Sequence, residues 1–343
     1  MKSLLGILCL TLSLIGTAWA GPAEEAARLF QRGDRAGALQ VLRPAAESGD
    51  AEAQVLLGSF YVYGLAMPRD DAQALAWYRK AAEQGHPDGY YNVGVLLQNG
   101  RGTPKDVAAA AEQYRRAAEL GHTSAAFNLG VLLADGEGVV RDDALALQWF
   151  RRAAAAGHAG AMSRIGLAYL DGLGVAQSDT EAFGWYLKAA QLDEARAQVV
   201  LSSMLAAGRG TAKDVPKAVE WLAKAAVGGS LSAQTMLGLR FLEGDGVEKD
   251  LAQALRWFTA AAERGYPRAQ FMLGNLYDEG LGVTKDIVQA QVWWTLWALR
   301  DPALAEVREA GRERLSRAQI AEVERRVQAW QPIPGEKPSV GRR

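Results

Sequence analysis

The sequence predicts an all-α protein, an α/α solenoid of helix–loop–helix repeats, and three observations carry that prediction. The first is a 36-residue period: Gly58, Gly94, Gly130, Gly166, Gly238 and Gly274 recur at that spacing, or at twice it across Ser202. A period of this length means stacked small units, each burying its apolar face against its neighbours. The second is helical apolar spacing within each unit, from Ala53 through Leu57 to Tyr61 and again from Ala74 through Trp77 to Ala81. The third is a Gly-x-Gly loop between these two helices, as in Gly100-Arg101-Gly102, Gly136-Glu137-Gly138 and Gly280-Leu281-Gly282. The first unit keeps Gly64 but has Ala66 at the second position.

Residues 1–20 have the layout of a secretory signal peptide, with Lys2, an apolar run from Leu4 to Ile15, and Ala18-Trp19-Ala20 before Gly21. Cleavage after Ala20 would leave the mature chain periplasmic or secreted, with no integral membrane segment. The alternative is a retained anchor, although the run is shorter than the roughly 20 residues a spanning helix needs. Cys9 is the only cysteine. It lies inside this segment, behind Ile7 and Leu8 rather than small residues, so it does not read as a lipidation site. The mature chain would have no disulfide and no thiolate metal site.

Residues 21–50 read as a shortened capping repeat, because Ala45-Ala46 and Gly49 precede Ala81-Ala82 and Gly85 by one period. Seven repeats fill 51–300. In each, an N-cap precedes the second helix: Asp70, Asp106, Asp142, Asp214, Asp250 and Asp286, with Ser178 in the fourth. That helix carries Trp77-Tyr78, Trp149-Phe150, Trp185-Tyr186, Trp221-Leu222, Trp257-Phe258 and Trp293-Trp294, with Gln113-Tyr114 the outlier, and paired alanines follow one turn later. Large rings alternating with small residues interlock neighbouring helices. Residues 301–330 fit capping helices, with Ser316 and Gln319 as a capping box. Residues 331–343, with Pro332, Pro334 and Pro338, read as a flexible tail.

The period removes most chemical readings. The Gly-x-Gly loops lack the strand and the further residues of a phosphate-binding loop. The carboxylates are caps before they are catalysts. His86, His122 and His158 occupy one column, so they are separated by at least a helix-packing distance of roughly 8–10 Å and cannot converge on one metal ion; turn capping is their expected role. With 343 residues, 49% apolar and a net charge of −1, the chain is globular and has no field to attract nucleic acid. No catalytic residue, cofactor or metal site is assigned.

A repeat with Ala-x-x-x-Leu-Gly-x-x-Tyr, Gly-x-Gly-Val, a capping Asp, Trp-Tyr and Ala-Ala-x-x-Gly-His resembles the Sel-one-like repeat (SLR) family, most fully at Ala161 to Gly174 and Ala269 to Val283. The resemblance implies a right-handed, tetratricopeptide-like superhelix acting as a non-enzymatic scaffold or adaptor of the bacterial cell envelope. A periplasmic regulator of a membrane sensor, or of a secretion or polysaccharide system, would use the same surface. Some cysteine-rich relatives are linked to penicillin binding or β-lactamase activity, but no S-x-x-K, G-x-S-x-G or H-E-x-x-H motif occurs here.

If the first helix of each repeat faces inward as in related solenoids, the exposed column contains Val55, Tyr91, Phe127, Ser163, Val199, Thr235 and Phe271. Tyr91, Val95, Phe127, Val131 and Leu167 then form an apolar strip, bordered by Asn92, Asn128 and Arg164. Stacked asparagines can hydrogen-bond the backbone of an extended peptide, or simply be solvated. These eight residues are the candidate partner-binding set, the partner being a protein or extended peptide. Two departures stand out: Asp193-Glu194 replaces Gly-His, and Ser202 replaces the mid-helix glycine. They would either stop the helix abnormally and redirect the superhelix, or be a tolerated drift.

Overall fold

The computed structural model describes residues 21–300, 304, 309 and 311–333. The expected signal peptide with Cys9, most of 301–310, and tail residues 334–343 lie outside the described residues. Among the described residues there are seventeen α-helices and no strand. An opening pair, α1 (Pro22–Gln31) and α2 (Arg35–Glu47), precedes α3 (Ala51–Tyr63), α4 (Asp71–Glu83), α5 (Pro87–Asn99), α6 (Val107–Glu119), α7 (Thr123–Asp135), α8 (Asp143–Ala155) and α9 (Ala159–Asp171). Next come α10 (Asp179–Gln191), α11 (Ala195–Ala207), α12 (Val215–Val227), α13 (Leu231–Glu243), α14 (Leu251–Ala262), α15 (Pro267–Glu279), α16 (Ile287–Ala298) and α17 (Arg317–Ala329). The chain divides into two compact units: the residues up to 168 with 172–176, and 169–171 with the residues from 177 on. Within the first, each helix from α1 to α8 packs on the next; within the second, the same holds from α10 to α17.

Each odd-numbered helix from α3 to α15 ends on a glycine in the left-handed region, from Gly64 (φ 64°) to Gly280 (φ 75°). A side chain is penalised there, which is why the column is glycine. The second loop glycine is also left-handed and meets a further constraint. A Cβ at Gly138 would stand 2.7 Å from the carbonyl carbon of Val107, and one at Gly282 would stand 2.6 Å from the carbonyl oxygen of Leu251. Each loop therefore lies on the start of the preceding repeat's second helix. Ala66 takes the same conformation with φ 57°.

The expected caps are present. The Asp70 carboxylate accepts from the N–H groups of Ala72 and Gln73 at 3.0 and 2.9 Å, and Asp106, Asp142, Asp214, Asp250 and Asp286 each accept from the residue three positions on. Ser178 does the same for Glu181 at 3.2 Å. Ser316 and Gln319 complete a reciprocal capping box at α17. Part of the expected tail is tied down, since the Ile333 N–H donates to the Glu263 carbonyl at 2.9 Å.

The core repeats one contact. The second aromatic of the pair lies against the mid-helix glycine: a Cβ at Gly58 would be 2.6 Å from Tyr78, at Gly94 2.8 Å from Tyr114, and at Gly238 2.8 Å from Phe258. Tyr78, Tyr114, Phe150, Tyr186 and Phe258 are all buried, each removing apolar area worth about 2–3 kcal/mol from water. In the fifth repeat both columns change together, and Ser202 and Leu222 are both fully buried. The extra atoms of serine are offset by a smaller partner, and α11 and α12 remain packed together. Asp193 takes φ 57° in place of glycine, and Glu194 caps α11 through the N–H groups of Arg196 and Ala197. The helix stops there as its neighbours do.

A buried glutamine column is absent from the sequence reading. Gln54, Gln198, Gln234 and Gln270 donate to the carbonyls of Ala46, Ala190, Ala226 and Ala262 at 3.1, 3.3, 3.0 and 3.3 Å. Each adds a second donor to a last-turn carbonyl that already accepts a backbone N–H from the turn, that of Gly49, Asp193, Gly229 or Gly265, and so ties the repeat's first helix to the end of the preceding helix.

Candidate partner-binding face

The candidate residues lie on three equivalent helices of the first unit, Tyr91, Asn92 and Val95 on α5, Phe127, Asn128 and Val131 on α7, and Arg164 and Leu167 on α9. All eight are half-buried. The wider column is less open than its spacing suggests: Val55, Ser163 and Thr235 are buried, at 8%, 8% and 1% exposure. Thr235 turns inward to donate its hydroxyl to the Leu231 carbonyl at 2.9 Å. A small polar residue here can satisfy itself on its own helix and sink into the packing.

The aromatic members are covered by the next repeat's histidine. His122 stacks on Tyr91 with centroids 4.2 Å apart and rings 19° from parallel, and His158 stacks on Phe127 at 4.4 Å and 20°. On their other contacts, Tyr91 meets Tyr114 and Phe127 meets Phe150, each at 5.9 Å. The histidines are held by capping: His122 Nδ1 accepts the Ala125 N–H at 3.0 Å, and His158 Nδ1 accepts the Ala161 N–H at 3.1 Å. His122 Nε2 also lies 3.2 Å from Asp88 Oδ1. That hydrogen bond lowers the Asp88 carboxyl below its usual range. His86 makes no side-chain cap, and its Nδ1 is buried without a partner.

Burial raises the Tyr91 and Tyr114 phenols above the ordinary tyrosine range, and hydrogen bonding to Asn128 partly offsets this. Tyr114 donates its hydroxyl to Gln98 Oε1 at 2.7 Å. Among the described residues no hydrogen bond or ion pair engages Asn92 or Arg164, leaving an amide and a guanidinium at the border of the strip.

The opposite side carries the first residue of the aromatic pair, which the sequence assigns to the core. Only Trp149 and Trp293 are buried; Trp77, Trp185, Trp221 and Trp257 are half-buried. A cation covers most of them: Lys80 over Trp77 at 3.8 Å, Arg152 over Trp149 at 4.5 Å, Lys188 over Trp185 at 4.3 Å and Lys224 over Trp221 at 4.1 Å. Where Gln113 replaces tryptophan, Arg116 sits 5.9 Å from the Tyr90 ring instead. Open grooves of about 640, 620 and 830 Å³ lie beside Gln113, Trp221 and Trp257. They occupy equivalent repeat positions and so follow from the period rather than marking one dedicated pocket. Among the described residues no group of three or more His, Cys, Asp or Glu side chains is placed to hold a metal ion, and no helix is long and apolar enough to cross a membrane.

The stacking partners were not foreseen, although a signal was present: each histidine follows its aromatic by 31 residues, Tyr91 to His122 and Phe127 to His158. No curated protein sequence matches the chain. Among solved structures, a Sel1 repeat protein from Oxalobacter formigenes is 31% identical with a TM-score of 0.65, over 71% of this chain and 97% of that one. A protective antigen present in uropathogenic Escherichia coli strains, displaying an SLR fold, is 30% identical with a TM-score of 0.52, over 90% of this chain and 76% of that one. The Sel1 repeat model matches seven consecutive stretches, 51–86, 87–122, 123–158, 159–194, 195–230, 231–266 and 267–302. Matched caps, loop glycines and ring-on-glycine contacts thus recur in register with those stretches, and the chain belongs to the Sel1 repeat family, an all-α solenoid fold that generally serves as a protein–protein interaction scaffold.

Proposed function

We propose that this protein is a non-enzymatic scaffold of the bacterial cell envelope that binds an extended segment of a partner protein on the first-helix face of the repeats. Residues 1–20 supply export, and Tyr91, Asn92, Val95, Phe127, Asn128, Val131, Arg164 and Leu167 form the contact surface. The observation that carries this reading is the pairing of half-buried rings with the unengaged Asn92 and Arg164 beside them. Rings give area at low entropic cost, and the amide and guanidinium supply donors for a peptide backbone or side chain.

The test is in-cell crosslinking of the wild type, identification of the captured protein, and repetition with variants. Phe127→Asp and Leu167→Asp should abolish capture. Because Phe127 packs on Phe150 and His158, Arg164→Glu is the cleaner probe, since it disturbs no ring. Loss of the same captured protein with an unchanged melting temperature supports the reading. Full capture by a normally folded Arg164→Glu, Leu167→Asp double variant overturns it.

A further inference from the structure

His122 and His158 occupy the same repeat position and make the same two contacts, a ring stack and a helix cap, yet they differ in one neighbour. Asp88 stands 3.2 Å from His122 Nε2. The equivalent residue one period later is Ser124, so the His158 rung has no acid in that place. The charged side chains on the helices around it within the first unit are Asp135 of α7, Asp143, Arg151 and Arg152 of α8, and Arg164 of α9. None exerts a Coulombic effect on the imidazole, whose affinity for a proton is lowered by burial.

The cap dictates the protonation state. His158 Nδ1 accepts the Ala161 N–H, so it carries no proton, and adding one would set two donors against each other. The same proton would place an uncompensated charge in a half-buried position against Phe127. At His122 a proton also opposes the cap, but the resulting cation gains the Asp88 carboxylate.

We propose that His158 is a pH-gated latch: its protonation removes the side-chain cap of α9 and lifts the imidazole from Phe127, whereas Asp88 keeps His122 over Tyr91 at the same pH. The effect follows the sign of a group held neutral by folding. Its stabilisation is complete above the ordinary histidine range, around pH 6.5, and is lost as pH falls through and below it. Acidification thereby uncovers one ring on the proposed partner face and leaves its neighbour covered. The latch rests on the partner-surface reading only for its biological use.

The experiment reads the protein alone, so its failure leaves that reading untouched. Native-state amide exchange would be followed across residues 158–162 at pH 7.5 and 5.5, corrected for intrinsic rates, in the wild type and in His158→Ser. Serine caps the equivalent helix in this chain, where Ser230 accepts the Ala233 N–H, and it does not titrate. Protection at the start of α9 is expected to fall about fivefold in the wild type, the scale of a lost N-cap, and to stay constant in His158→Ser. The wild-type His158 imidazole, followed by NMR, should titrate below the ordinary histidine range. Equal pH responses in the two proteins, or a His158 that titrates above the ordinary histidine range, would overturn the proposal.

Discussion

The Phe150 ring lies directly against the backbone of Gly130, where a Cβ would stand 2.6 Å from the ring's Cε1. Gly130→Ala forces one of the two helices to move. Overpacking costs about 1–3 kcal/mol, against which alanine returns about 1 kcal/mol of helix propensity. We expect a net loss of up to about 2 kcal/mol in a urea titration. Adding Phe150→Leu should recover part of that loss, as the natural Ser202 and Leu222 pair does in the fifth repeat. Strict additivity of the two substitutions would refute the contact as the reason for the glycine.

Gly138 and Gly157 both have positive φ, 74° and 84°, but only Gly138 faces a neighbouring backbone. Left-handed strain alone costs an alanine about 1–2 kcal/mol. Gly157→Ala should lose no more than that. Gly138→Ala must also displace the start of α6, and should unfold at a clearly lower denaturant concentration. Equal midpoints would mean that the loop does not rest on the preceding repeat.

Asp71 opens α4 and is bridged by Arg69 of its own loop and by Arg101 of the next repeat's loop, 2.6 and 2.7 Å away. Hydrogen bonds from the two guanidinium groups hold its carboxyl well below the usual carboxylate range. The sign follows: a depressed carboxyl contributes its stability above about pH 4 and loses it as pH falls further. A double-mutant cycle of Asp71→Asn with Arg101→Ala should give a coupling of up to about 1 kcal/mol at pH 7. The coupling should persist at pH 4.5 and fade only at still lower pH.

Gln270 is fully buried and donates to Ala262, while its own Oε1 has no partner. Gln270→Leu removes a useful donor together with an unsatisfied acceptor. The Ala262 carbonyl keeps the Gly265 N–H, and the relief of an orphaned buried acceptor, about 1–3 kcal/mol, matches or exceeds the lost bond of about 1 kcal/mol, so thermal unfolding should hold level or shift up. A clear fall in melting temperature would show that the glutamine bond outweighs its orphaned acceptor.

The 36-residue period by itself determined the helix–loop–helix unit, the Asp caps, the left-handed loop glycines and the burial of the Ala-Ala step. Each of these is a local requirement of backbone geometry or helix ends, so one column of residue types reveals it. The Gly130 and Phe150 contact was half legible, since a costly mid-helix glycine implied a close neighbour without naming it. Which face of each ring is covered was decided only by tertiary packing. Tyr91 and His122 meet because the first helices of neighbouring repeats set their side chains side by side, and the sequence does not say which rotamers bring them together; Trp185 and Lys188 lie one turn apart on α10, so only their rotamers were left to packing. The same packing buried Val55, Ser163 and Thr235, because how far a helix face opens depends on the helices on either side of it. It also let Asp193, Glu194 and Ser202 keep the repeat intact, since each change was matched by a neighbour's conformation or size.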